Sequence, residues 1–193
     1  YTVYKSSAAS DVYKRQGWQM VEDPSRGWRK VVASPMPARI LGNEYLRKMI
    51  SDGVVVIAGG GGGVPVYQDV GGYYRGIEAV IDKDYVASIL ARDLEADLFI
   101  VLTNVPMVAE NFGRPQQRWL RRLPVRRARE MLEANQFPPG SMGPKVRSAI
   151  QFVEVTGKDV LITDAEHLKS ALERAAGTFI VADGDVETAT LAQ

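Results

Sequence analysis

The sequence predicts an α/β layered domain built on a mostly parallel sheet. Three features point there. Short apolar, β-branched runs recur along the chain; stretches with helical spacing separate them; and the loops after the first two runs collect glycine and polar residues. In such sheets ligands bind beyond the C-terminal ends of the strands, so the loops after Ala58 and Thr103 are where chemistry is expected.

The elements follow in order. Residues 1–16 show no sustained period, and SAASDVYKRQ within them resembles translated sequencing-adapter sequence. A natural, poorly ordered tail is the alternative, and either reading leaves 1–16 out of the fold. The folded portion is taken as 17–182. Ala38–Ser51 suits a helix with Leu46, Met49 and Ile50 on one side, and Gly53–Ala58 reads as a strand buried on both faces. Asp84–Glu95 carries Val86, Ile89, Leu90 and Leu94 at helical spacing, and Asp97–Thr103 is a second buried strand. Gly143–Val155 is a helix with Val146, Ala149, Ile150 and Val153 inward. Asp159–Thr163 is a third strand, Leu168, Ala171, Leu172 and Ala175 mark another helix, and Thr178–Val181 is a last strand. Residues 183–193 are small and polar and are expected to fray.

Composition narrows the function. The 193 residues, 46% of them hydrophobic, suffice for one domain with a proper core. A formal net charge of +1 demands neither nucleic acid nor an anionic membrane as partner. The absence of cysteine excludes disulfides, thiolate metal sites and a cysteine nucleophile. With one histidine, His167, no histidine-based metal site or triad is available, so no protein metal site is expected. No apolar run approaches the roughly 20 residues that span a bilayer, and the start lacks the apolar core of a secretory signal. A cytoplasmic location is expected.

Two sets of residues carry chemistry. Gly59 to Gly63 are five consecutive glycines, clamped between an apolar run and Val64-Pro65-Val66. Such a run loses much conformational entropy on folding. Either it serves as a turn, or Gly60, Gly61, Gly62 and Gly63 cradle an anion with backbone N–H groups. It is neither a P-loop nor a dinucleotide fingerprint, since no Gly-Lys-Ser/Thr and no immediate helix follow. The second set is Lys83 in Ile81-Asp82-Lys83-Asp84 and Lys145 in Gly140-Ser141-Met142-Gly143-Pro144-Lys145. Asp82 and Asp84 suit a helix start, but a lysine there opposes the helix dipole unless an anion is also present. Pro144 suits a first helical turn. Two lysines at helix starts, an acidic residue able to hold them, and a glycine cradle suit phosphoryl transfer, which relies on positioning and charge neutralisation.

These residues resemble a known family. Ile57–Val66 (IAGGGGGVPV), Glu78–Asp84 (EAVIDKD), Asn111–Gln116 (NFGRPQ), Gly140–Val146 (GSMGPKV), Arg26–Pro35 (RGWRKVVASP) and Ala176-Gly177-Thr178 are similar to carbamate kinases of the amino-acid kinase superfamily. The resemblance covers Gly17 to Val181. It implies a three-layer αβα sandwich with a mainly parallel sheet, truncated at the N-terminus, and a homodimer. It also implies transfer of a phosphoryl group between ATP and carbamate to give ADP and carbamoyl phosphate, with Mg²⁺, often in arginine metabolism. By the same resemblance Lys83 and Lys145 neutralise the phosphates, Asp84 orients both lysines, and Gly60 to Gly63 line the transfer site. Thr103, Asn104, Met142 and Pro144 lie near the nucleotide. Asn104-Val105-Pro106 stands where the family often has Asp-Val-Asp, and Gly59 where it has Ser or Ala. The family's Gly-Gly-Asn-Ala and His-Gly-Asn-Gly segments do not occur in this sequence. A kinase forming a different acylphosphate, and a non-catalytic nucleotide-binding or dimerisation module, are the competing readings.

Two features stay outside that reading. Seven arginines from Arg114 to Arg129 read as a solvated helix face or mobile lid rather than a nucleic-acid patch, because few aromatics interleave them. Tyr67, Tyr73 and Tyr74 either touch substrate or pack a hairpin.

Overall fold

The computed structural model describes residues 3–4, 15, 17–23, 27–138 and 140–184. The two expected tails lie outside the described residues, except for Val3, Tyr4, Arg15, Asp183 and Gly184. The chain divides into two compact units, Tyr1–Met36 with Val64–Ile81, and Pro37–Gly63 with Asp82–Gln193.

The smaller unit holds an antiparallel sheet in the order β1 (Val3–Tyr4), β3 (Gly27–Lys30), β2 (Met20–Asp23). Val3 and Tyr4, left out of the fold on sequence grounds, therefore pair with β3. A hairpin joins β4 (Val66–Gln68) to β5 (Tyr74–Gly76) and carries the three tyrosines. Asp69 organises its turn: Oδ1 accepts the N–H groups of Gly71 and Tyr73, and Oδ2 accepts Arg75 Nε, each at 2.9 Å. The Arg75 guanidinium, with the Tyr73 N–H, holds the Asp69 carboxyl below the usual carboxylate range. Tyr67, Tyr73 and Tyr74 are all exposed on this hairpin.

The larger unit carries a four-stranded sheet in the order β6 (Phe99–Leu102), β10 (Val160–Thr163), β11 (Thr178–Val181), β9 (Arg122–Pro124). β6 and β10 are parallel, as are β9 and β11; β10 and β11 are antiparallel. The sheet is thus mixed, with two of three ladders parallel. A second hairpin, β7 (Val108–Glu110) and β8 (Arg118–Leu120), precedes β9. The helices are α1 (Asn43–Ser51), α2 (Lys83–Asp93), α3 (Val125–Glu133), α4 (Met142–Thr156) and α5 (Leu168–Leu172).

The period-2 pattern of the strands sorts the core into two faces. Val160, Ile162, Ile180, Phe99, Val101 and Leu123 point one way, onto a cluster with Val146, Ala149 and Val153 of α4 and Ala128 and Met131 of α3. Leu161, Phe179 and Val181 point the other way, onto Ala171 of α5. Helices on both faces of one sheet make the αβα layering that the family resemblance implies. All four inward positions expected of α4 are buried, as are Val86 and Ile89 of α2.

Three expectations need correction. Gly53–Ala58 forms no strand, and Val55 and Ile57 are 93% and 98% exposed. A strand requires a hydrogen-bonded neighbour, and no strand of the described residues pairs with this run; β6, at the end of the sheet order, bonds only to β10. Asp97–Thr103 is buried on one face only: Ile100 and Leu102, in register with Leu161 and Thr163, stay exposed because α5 does not cover them. The helix expected over Ala38–Ser51 begins at Asn43 and has no buried residue; Met49 and Ile50 are exposed.

Gly177 shows how tightly the α5 layer closes. It enters β11 at φ +74°, and a Cβ there would lie 2.5 Å from Leu161 Cδ1 and 3.1 Å from Ala171 Cβ. Gly177→Ala is expected to destabilise the chain by about 2–4 kcal/mol, combining overpacking with a left-handed backbone. Urea unfolding monitored by circular dichroism checks this; a loss under about 0.5 kcal/mol would contradict the packing described.

Candidate functional site

Helices α2 and α4 start side by side in the larger unit, and their first turns hold the two charged residues that matter most. Asp82 caps α2, its Oδ1 accepting the Asp84 N–H at 2.8 Å. Asp84 is thereby fixed in the first turn, where its charge suits the helix dipole. Lys145 stands in the first turn of α4, and its Nζ donates to both carboxylate oxygens of Asp84, at 3.0 and 3.1 Å. Both side chains are nearly buried, 11% and 10% exposed. Ser88, one turn on from Asp84, donates to the Ser148 carbonyl, and Ser148 Oγ donates to the Lys145 carbonyl, each at 2.9 Å. Lys83 is a looser third member: its Nζ is 4.0 Å from Asp84 Oδ2 and its side chain 62% exposed.

The glycine run abuts α2. Gly59 packs so closely that a Cβ would sit 3.3 Å from Val86 Cγ1 and 3.4 Å from Leu90 Cδ1. Gly59, Gly60, Gly62 and Gly63 all have positive φ, and Gly62 N donates back to Gly59 O at 2.9 Å. That backbone is open to glycine and strained for other residues. Around Gly60, Gly61 and Gly63 there is open space, so their peptide groups are accessible to a ligand.

Beyond the C-terminal end of β6 lies a cavity of about 160 Å³, lined among others by Thr103, Asn104, Phe112, Gln136, Phe137 and Met142. The loop after β6 that lines it is tied to the end of β10: Thr103 N donates to the Thr163 carbonyl at 2.9 Å, and Thr163 Oγ1 to the Pro106 carbonyl at 3.2 Å. Buried Thr178 anchors the β7–β8 hairpin on one side, accepting the Val108 N–H at 2.8 Å and donating to the Leu120 carbonyl. On the other side the chain before α4 crosses close: a Cβ at Gly143 would lie 3.1 Å from the Pro138 carbonyl oxygen. The lining is chiefly apolar with a few amide groups, a composition suited to a flat, partly polar ligand.

The structure therefore brings Asp84 and Lys145 into contact, and gathers Thr103, Asn104 and Met142 around one cavity. Pro144 does not line that cavity; it is buried in the first turn of α4. Phe112 and Gln136 line it without having been singled out as site residues in the sequence. The nearest signal was Asn111–Gln116 together with the residues before Gly140, whose loops converge here. His167 precedes α5 and its Nδ1 lies 2.8 Å from Asp164 Oδ1. Asp164 also accepts the His167 backbone N–H, and this holds its carboxyl below the usual range. The arginine-rich stretch is largely paired: Glu110 meets Arg118 and Arg127 at 2.9 and 2.5 Å, Glu130 meets Arg127, and Glu154 meets Arg129. It forms β8, β9 and α3, and buries Leu123 in the sheet.

Comparison with known proteins agrees with this architecture. The sequence profile described as the Amino acid kinase family matches residues 13–164. The carbamate kinase-like protein YahI of Escherichia coli is 43% identical over 164 residues, covering 85% of this chain and 52% of the relative. The carbamate kinase of Thermococcus kodakarensis is 40% identical over 178 residues, covering 92% of this chain and 56% of the relative. The structure of carbamate kinase from Giardia lamblia bound to AMP-PNP superposes with a TM-score of 0.83 at 36% identity, over 94% of this chain and 58% of that one. The chain thus spans little more than half the length of the curated relatives it matches.

The buried ion pair gives a direct test. In a double-mutant cycle of Asp84→Asn and Lys145→Met, a coupling of about 1–3 kcal/mol in unfolding free energy is expected, because either single change leaves a nearly buried charge without its main partner. Additive effects would show that the two side chains do not depend on each other.

Proposed function

This chain belongs to the amino acid kinase family, and on that premise we propose that it supplies the nucleotide-binding part of a carbamate kinase. The observation that carries the reading is the Lys145 ammonium, held by Asp84 where two helices start. A cation fixed by a carboxylate, beside two positive helix ends, suits the charge of a transferring phosphoryl group. The names of the relatives and of the AMP-PNP complex support the substrate class.

In the proposed reaction a carbamate oxygen attacks the γ-phosphorus of ATP in line. The bond from that phosphorus to the β–γ bridging oxygen breaks, ADP departs, and carbamoyl phosphate forms; the reverse direction makes ATP. Lys145 offsets charge on the transferring group, Lys83 adds a mobile second cation, and Asp84 keeps Lys145 oriented. Peptide N–H groups of Gly60, Gly61 and Gly63 line the transfer site, while Gly62 closes the turn onto Gly59. Thr103, Asn104 and Met142 bound the base-side cavity, and Pro144 fixes the first turn of α4 from which Met142 and Lys145 project. No protein side chain acts as a covalent nucleophile. Among the described residues no group of three acidic or histidine ligands could hold a metal ion. On this reading Mg²⁺ enters as a companion of the nucleotide phosphates, the mode it commonly takes in kinases. On the same reading the full-length enzyme is a cytoplasmic homodimer working in arginine metabolism. Relatives extend well beyond the matched region, and carbamate recognition is assigned to that remainder.

Calorimetric titration of MgADP into the 193-residue chain tests this. Saturable binding is expected, weakened about tenfold or more by Lys145→Ala, since a charge-assisted contact of 1.5–3 kcal/mol is removed. Carbamoyl-phosphate-dependent ATP formation by the same chain is expected to be slight. Absence of MgADP binding by the folded chain would overturn the nucleotide assignment, and brisk turnover would overturn the placing of carbamate recognition elsewhere.

A further inference from the structure

Gln136 sits on the rim of the cavity beyond β6, in the short connection between α3 and α4. How it is held is unusual. Beyond the end of α3 stands Asn135 at φ 53°, Asn135 N donating to the Leu132 carbonyl and Gln136 N to the Met131 carbonyl. These two bonds are the Schellman arrangement, in which the residue after the left-handed one commonly makes an apolar contact back onto the helix. Here that residue is glutamine, and the next, Phe137, takes the burial instead. The polar side chain is thus freed from packing, on a backbone position that is fixed.

Its amide is fixed too. Gln136 Oε1 accepts the backbone N–H of Asn111 at 3.0 Å, and Asn111 is itself in the left-handed region, φ 54°, at the end of β7. A backbone N–H can only donate, so the amide oxygen must face Asn111 and the amide nitrogen must face away. That nitrogen has no partner among the described residues, while the residue lines the cavity. A pair of N–H donors held in one orientation, beside Phe112 and Met142, is equipped to read an acceptor on the edge of a flat ring.

Resting on the nucleotide reading above, we propose that Gln136 is a specificity-determining residue: its oxygen clamps the β7–β8 hairpin at Asn111, and its amide N–H group donates to an acceptor atom of the purine base. One side chain thereby couples the shape of the cavity rim to recognition of what enters it. Gln136 contacts the base and not the reacting phosphoryl group, so it acts on nucleotide affinity and not on the chemical step.

Two substitutions separate the clamp from the donor. Gln136→Glu keeps an oxygen for Asn111 N–H and removes the donor; Gln136→Met removes both. Binding of MgADP and of base-free magnesium tripolyphosphate is measured by calorimetry on the 193-residue chain and both variants, with amide hydrogen exchange at Asn111. Gln136→Glu is expected to weaken MgADP about tenfold, the worth of one net hydrogen bond, while leaving tripolyphosphate affinity and Asn111 protection unchanged. Gln136→Met is expected to weaken MgADP as much or more and also to speed exchange at Asn111. Equal MgADP affinity in Gln136→Glu and the parent chain would overturn this assignment and leave the nucleotide reading standing. An equal loss for tripolyphosphate would make the effect one of charge and overturn it too. A parent chain that binds tripolyphosphate but gains nothing from the adenosine would overturn both the donor role and the base pocket.

Discussion

The ion pair between Asp84 and Lys145 is the constraint around which the larger unit is arranged. Two helix starts placed side by side bring two partial positive charges together, and Lys145 adds a full one. Asp84 stands between them and pairs with Lys145, while Asp82 caps the start of α2 with a second carboxylate. Because Asp84 is fixed by the Asp82 cap, and Ser88 and Ser148 tie the next turn, the two helices hold a defined relative height. Lys83, with its Nζ 4.0 Å from Asp84 and its side chain largely exposed, is held more loosely than Lys145.

The cavity depends on the same logic of small polar ties replacing apolar bulk. Its walls come from three separate loops, and none of them has a core of its own. Thr103, Thr163 and Thr178 join them through hydroxyl and peptide groups, and Gly143 lets the Pro138 carbonyl come close to the start of α4. Loops held this way sit beside a rigid sheet and can present exact geometry without being buried.

Much of this was legible in sequence because the buried elements repeat a simple period. β10 and β11 are four-residue apolar runs with both faces covered, and α4 has an uninterrupted inward stripe, so each could be placed within a residue or two. Val54 to Ala58 has the same composition and failed, because composition reports a demand for burial, not the presence of a neighbour to satisfy it. β9 was missed for the opposite reason. Only Leu123 of its three residues is deeply buried, and arginines on both sides hide it. Of the site, Asp84 and Lys145 could be read from helix-start chemistry that disfavours lysine without an anion. The place of Gln136 on the cavity rim could not, since it arises from a left-handed residue in a loop and a hydrogen bond to another loop 25 positions away.

The uncovered run Val54-Val55-Val56-Ile57 has a consequence for the behaviour of the chain in solution. It is uncharged, β-branched and free of proline, and among the described residues one edge of β6 pairs with no strand. Both features are templates for adding a strand from another molecule. A second strand laid along either would bury apolar side chains that a single copy leaves in water, so self-association at high concentration is the expected cost of this surface.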